Sequence, residues 1–154
     1  MLNSRSQALL DAVRNRVVIA DGAMGTMIQD AAPTLEDFQN YEGCNEILNV
    51  TRPDIIRGIH DAYLDTGVDC LESNTFGANW SNLSDYGIED CIEELAREGA
   101  AIARASAEHF EAADGRMRWV LGSMGPGTKL PSLGHTTYEN LKSTFAEQAR
   151  GLIA

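Results

Sequence analysis

Asp21 stands directly behind four apolar residues, Val17–Ala20, and directly before Gly22 in the stretch VVIADGAMGTMIQ. A carboxylate in that position can accept hydrogen bonds from a ligand ammonium. The neighbouring glycine lets the backbone N–H groups of Gly22 and Ala23 approach a ligand carboxylate. Equally open to Asp21 is a turn role, bonding its own loop. A second cluster, LESNTFGAN, sets Glu72 ahead of Ser73, Asn74 and Thr75. Glu72 suits a cation or the orientation of a loop, and the same residues would equally serve as caps that satisfy their own loop. A third cluster, GSMGPGTK, gives Gly122 and Gly127 the spacing of a phosphate loop. Thr128-Lys129 reverses the Lys-Ser/Thr order that loop needs, and Pro131 and Gly134 delay the next helix. Nucleotide binding is not expected, and no GxGxxG fingerprint is present.

Other chemistries find little support. His60 and His109 fall within helical patterns as surface or packing residues, and His135 precedes the last helix as a capping residue. No Ser/His/Asp set and no acid pair has a spacing that would assign general acid–base work. Cys44, Cys70 and Cys91 are odd in number and far apart, which fits neither a disulfide framework nor CxxC metal spacing. Three reduced cysteines in a cytoplasmic protein are the simplest reading. A net charge of −11 without a Lys/Arg run excludes an electrostatic nucleic-acid binder. No apolar run reaches membrane-spanning length, and the opening MLNSRSQALLDAVRNR has no signal-peptide core. With 154 residues and 44% hydrophobic content, the chain can bury a core as one globular domain over residues 1–154.

The three clusters need elements to hold them. Each follows a short apolar run: Val17–Ala20, expected to be buried on both faces, then Val68–Glu72 and Trp119–Gly122. A short helix is expected over about Ser4 to Arg14. Another has Thr51 as N-cap, Pro53 in its first turn, Ile56, Ile59 and Tyr63 on its buried face, and Gly67 as its stop. A longer one carries Ile88, Ile92, Leu95, Gly99, Ile102, Ser106 and Phe110 at steps of three and four. The last opens with Thr136-x-x-Glu139 as a capping box and repeats Tyr138, Leu141, Phe145 and Leu152. This α/β alternation implies parallel strands with right-handed crossovers. Three ligand-type clusters on one rim favour a (β/α)8 barrel over a doubly wound sheet, which would concentrate them at one switch point. Each unit takes about fifty residues, against roughly 250 for a whole barrel, so the expectation is a partial (β/α)8 barrel: an N-terminal helix plus the first three βα units. Such an open sheet would favour self-association through its strand edges.

Taken together, VVIADGAMGTMIQ, GCNEILNVTRPDIIRGIHDAYLDTGVDCLESNTFG and LGSMGPGTK closely resemble the homocysteine-binding module of the homocysteine S-methyltransferase family, from about Val17 onward. The stretch from Asn49 to Tyr63 and the run ESNTF resemble its cobalamin-dependent methionine synthase branch most closely. The resemblance implies a barrel that binds homocysteine through zinc, with methyl transfer from methylcobalamin, ultimately from methyltetrahydrofolate, giving methionine. It makes Asp21 the ammonium partner and gives the substrate carboxylate to the backbone of Gly22 and Ala23, beside Met24. Glu72, Asn74 and Thr75 would support the pocket, and Ser123 and Gly125 would form the third part of its rim. Zinc would remove the thiol proton and leave a nucleophilic thiolate. The family's zinc ligands are three cysteines after the sixth and eighth strands, and Cys44, Cys70 and Cys91 match none of them. Zinc and cobalamin, with cobalamin- and folate-binding modules as partners, are thus expected of a complete enzyme and not of these residues alone. A non-catalytic assembly unit and a family member with another methyl donor are the alternatives.

Overall fold

The computed structural model describes residues 4–154. Helix α1 (Ser4–Asn15) leads into an extended segment, residues 17–20, that lies parallel to β1 (Cys70–Glu72). Strand β1 pairs in parallel with β2 (Trp119–Leu121), in the register Cys70 to Trp119, Leu71 to Val120 and Glu72 to Leu121. Both strands are a little shorter than their apolar runs suggest. The first run differs more. It makes a single bridge, Ala20 to Cys70, supported by bonds from Cys70 N to Ile19 O (3.0 Å) and Asp21 N to Cys70 O (3.0 Å). It is not buried on both faces: Val17 is 81% and Ile19 55% exposed. Only β1 flanks the segment, and nothing among the described residues covers those two side chains. Its position is fixed instead by Asp69, which accepts from Ile19 N (3.0 Å) and from both terminal nitrogens of Arg16 (2.7 and 2.8 Å).

Between the strands run α2 (Met24–Asp30), α3 (Leu48–Thr51), α4 (Pro53–Asp65), α5 (Trp80–Leu83) and α6 (Ile92–Asp114), with α7 (Tyr138–Ile153) after β2. Helix α4 starts one residue later than a Thr51 cap would place it. Pro53 disfavours helical geometry in the residue before it, so Arg52 is the N-cap, at φ −139° and ψ 58°. Thr51 instead closes α3, its hydroxyl donating to Ile47 O (3.2 Å). Gly67, at φ +91°, follows α4 in the left-handed geometry expected of a stop. Ile56 and Ile59 are buried, while Tyr63 is half-buried. Helix α6 buries Ile92, Leu95, Gly99 and Ser106 as its period requires, adding Ala96, Ala103 and Ala107. Leu71 of β1 packs with Leu64, Val68, Ala103 and Ala107 in the central core.

Helix α7 departs from its apolar pattern. Thr137, not Thr136, is the cap, accepting from Asn140 N (3.2 Å), and Thr136 accepts from the Asn140 side chain (3.0 Å). Glu139 completes no capping box. The buried face is Thr144, Gln148 and Gly151, while Tyr138 is exposed and Leu141, Phe145 and Leu152 are only half-buried. Small and amide side chains there let α7 lie close against α6. A Cβ at Gly151 would stand 2.3 Å from Glu93 O.

His60 is fully buried on α4, and neither ring nitrogen has a hydrogen-bond partner among the described residues. Burial pushes its imidazole down to about 4, against a small opposing pull from Asp61. A base depressed in the folded state is stabilising above its unfolded value, near 6.5, and that contribution is lost as pH falls towards 4. Thermal melts of a His60→Leu variant should therefore show a shallower fall in Tm between pH 6.5 and 4 than the parent. Parallel curves would contradict the neutral, unpartnered histidine.

Candidate functional site

The loops after residue 20, after β1 and after β2 converge at the carboxyl ends of the parallel strands, where such sheets place ligands. They enclose a cleft of about 290 Å³. The first loop contributes Asp21, Gly22, Ala23 and Met24, the second Glu72, Ser73, Asn74 and Phe76, and the third Ser123.

Asp21 reaches across to the second loop. Its Oδ1 accepts from Glu72 N (2.9 Å), which ties the first loop to the end of β1. Its Oδ2 is buried and has no hydrogen-bond partner among the described residues. Burial raises the carboxyl to about 6, and the nearby Glu72 charge adds to the rise. A buried, unmatched acceptor at a cleft is costly in the empty state and ready for a donor. Tyr63, read from sequence only as part of a helix face, donates from its hydroxyl to Ala23 O (3.0 Å) and so pins this loop to α4. A Cβ at Gly22 would come within 3.3 Å of that hydroxyl, which favours glycine there. The missed signal was available: a tyrosine at the margin of an apolar face needs a partner for its polar tip.

The second loop is held from behind. Asn74 donates to Asn45 O (2.9 Å) and to Asn49 Oδ1 (2.9 Å). Asn49 donates in return to Asn74 O (2.8 Å) and Leu95 O (3.0 Å). The Asn74 side chain thus braces the loop from the interior. Thr75 does not reach the cleft. It is fully buried, donating to Ser123 O (2.8 Å) and bonded to the Ser73 hydroxyl (2.7 Å), which places it between the second and third loops. Gly125 is likewise a packing residue: its N–H donates to Phe76 O (3.0 Å), and a Cβ would lie 2.4 Å from that oxygen. Gln148 of α7 joins the two loops, donating to Thr75 O (2.6 Å) and Ser123 O (3.2 Å). Nothing in the sequence pattern singled it out.

The third loop shows why its phosphate-loop spacing carries no phosphate chemistry. Thr128 N and Lys129 N both donate to the Ser81 hydroxyl (2.7 and 2.8 Å) instead of facing a ligand. The Lys129 ammonium is spent on Ser81 O, Ser84 and Asp85, above the Trp80 ring.

A zinc ion finds no seat here. Among the described residues no group of three His, Cys, Asp or Glu is placed to hold a metal. Burial pushes the Cys44 thiol up to about 11 and raises Cys70 and Cys91 as well, the reverse of what a metal-binding thiolate needs. The cleft has room for an amino acid.

The family model for homocysteine S-methyltransferase matches residues 18–154. The chain is 54% identical over 145 residues to the methionine synthase of Mycobacterium tuberculosis (strain ATCC 25618 / H37Rv), and 52% identical over 145 residues to that of Mycobacterium leprae (strain TN). In both cases 94% of the chain is covered and 12% of the relative, so the chain spans about an eighth of the length of these enzymes. In fold it is similar to the homocysteine methyltransferase MmuM from Escherichia coli. The oxidized form gives a TM-score of 0.73 at 21% identity, covering 98% of this chain and 53% of that one, and the metallated form gives 0.72. The match to the family model over nearly the whole chain, with more than half of the residues shared with two methionine synthases, places this chain in the homocysteine S-methyltransferase family.

Proposed function

We propose that these residues form part of a (β/α)8 homocysteine-binding barrel in a methionine synthase and hold the amino-acid end of homocysteine in the cleft. The observation that carries this reading is the buried Oδ2 of Asp21, an acceptor with no donor at the wall of an amino-acid-sized cavity. The ammonium of homocysteine supplies that donor. The backbone of Gly22 and Ala23 faces its carboxylate, Met24 and Ser123 close the sides, and Glu72 adds negative charge that disfavours a second anion. Asn74, Thr75 and Gly125 act one layer back, by fixing the loops. Thiol activation would need a metal held by residues other than Cys44, Cys70 and Cys91, whose thiols burial raises. Methylcobalamin as donor, and modules that carry cobalamin and folate, belong to this reading through the resemblance of the Asn49–Tyr63 stretch and the ESNTF run to the cobalamin-dependent branch. The three free cysteines suit a cytoplasmic setting.

The test is methionine formation by the full-length protein, supplied with homocysteine and either methylcobalamin or a sulfonium methyl donor. Turnover with methylcobalamin is expected. Turnover only with the sulfonium would move the protein to another branch of the family, and calorimetry showing no homocysteine binding would overturn the site itself.

A further inference from the structure

Phe76 is held unusually firmly for a side chain left so open. Phe76 is 60% exposed at the wall of the cleft, yet its backbone is fixed from two directions. On one side Phe76 O accepts from Gly125 N (3.0 Å) and from the Asn79 side chain (3.3 Å). On the other, the next residue, Gly77, donates its N–H to Glu46 Oε1 (2.7 Å). Glu46 is 9% exposed and forms no ion pair with any described residue. Burial raises its carboxyl, so it is kept there at a cost. The fit is close enough that a Cβ at Gly77 would stand 2.6 Å from Glu46 Oε1 and 2.9 Å from Oε2. A second cleft of about 240 Å³ is lined by Glu46, Gly77 and Phe76, so Phe76 borders both cavities, with its ring edge against Gly125.

The Asp21 loop accounts for the charged end of a bound amino acid. What remains of homocysteine is two methylenes and a sulfur, which are apolar and polarizable, and sulfur packs favourably against an aromatic ring. Resting on the proposed homocysteine site, we propose that Phe76 is the wall against which the methylene–sulfur arm packs, and that Glu46 is the positioning residue that holds this wall through Gly77. Glu46 acts as a hydrogen-bond acceptor, not as a charge, since no cation among the described residues meets it. The ring selects a thiol-bearing chain over a hydroxyl-bearing one of the same length, such as homoserine, because a hydroxyl facing the ring would lose its water without gaining a partner.

The test uses the full-length enzyme with Phe76→Ala, Glu46→Ala, Glu46→Gln and Asp21→Asn, reading KM and kcat for homocysteine, inhibition by homoserine, and Tm. Loss of contact with two methylenes and a sulfur should raise KM about tenfold in Phe76→Ala with kcat within about twofold, and should narrow the gap between homocysteine and homoserine. Glu46→Ala should reproduce this effect, whereas Glu46→Gln, whose carboxamide oxygen still accepts from Gly77, should restore most of the parent KM. If Glu46→Ala does not fold, Phe76→Ala decides, because Phe76 belongs to no core cluster among the described residues. An unchanged KM in Phe76→Ala beside a raised KM in Asp21→Asn would overturn the wall and leave the site reading intact. A lowered Tm with KM unchanged would show that the ring packs against protein, and would equally overturn it. If Asp21→Asn also leaves KM unchanged, the site reading itself fails.

Discussion

Asp21→Asn in the full-length protein is expected to weaken homocysteine binding by ten- to a hundred-fold, roughly 1.5–3 kcal/mol for a lost charge-assisted bond to an ammonium. The same substitution should raise Tm at neutral pH. Asn can keep the acceptor for Glu72 N while removing a carboxylate that burial and Glu72 both disfavour. The sign follows from the direction of the shift. An acid raised from 3.8 to about 6 in the folded protein holds its proton more tightly than the unfolded chain does. Stability therefore falls as pH rises from 4 to 6, and the penalty is complete above 6. The variant's advantage should be present at pH 7–8 and absent near pH 4. Homocysteine affinity of the parent should fall below pH 6, as the carboxylate needed for the ammonium is protonated. Calorimetric titration and melting curves at several pH values measure all three effects. An affinity untouched by the substitution would remove Asp21 from the site.

Gly151→Ala should be the most damaging small substitution in the chain. The added methyl would meet Glu93 O at 2.3 Å and the Ala96 Cβ at 2.8 Å, and a helix backbone cannot yield to one side chain. Helix α7 would have to lift from α6, at a cost of about 2–3 kcal/mol and a fall in Tm of roughly 5–10 °C. Gly58→Ala is the matched control. It lies within α4 with open space around it, so alanine should be neutral or stabilising by up to about 1 kcal/mol. Equal effects of the two alanines would show that helix propensity, and not the approach of α7 to α6, governs Gly151.

Local chemistry made much of this legible in the sequence. The period of α6, the proline at the start of α4 and the glycine after it are decided by neighbours within one or two turns, and Ile56, Ile59 and Leu95 lie where their spacing puts them. The three loop clusters could also be read, because polar and glycine-rich residues directly after apolar runs mark the carboxyl ends of parallel strands. What the sequence hid was decided by distant partners. Val17 and Ile19 have the composition of a central strand, but their exposure depends on what lies beside them. Thr75 and Ser73 look alike as loop polar residues, and only the position of Ser123, nearly fifty residues on, shows Thr75 to be internal. Helix α7 misled most, because its buried face is chosen by closeness to α6, which rewards Gly151, Thr144 and Gln148 over Tyr138. Glu46 and Tyr63 act through backbone groups of other segments, and no residue type announces such a partner in advance.

Gln148 also sets the order in which the cleft can come into being. Its amide clasps Thr75 O and Ser123 O, joining two loops laid down 73 and 25 residues earlier. During synthesis the Asp21 and Glu72 loops can meet once β1 has formed, and the second and third loops can meet through Thr75 and Gly125 once β2 has, but the Gln148 clasp is added only when α7 has emerged and docked. Contacts of such long sequence separation close late, after the local helices. The back of the cleft is thus completed late, and the amides of the second and third loops should exchange with solvent faster when α7 lifts away.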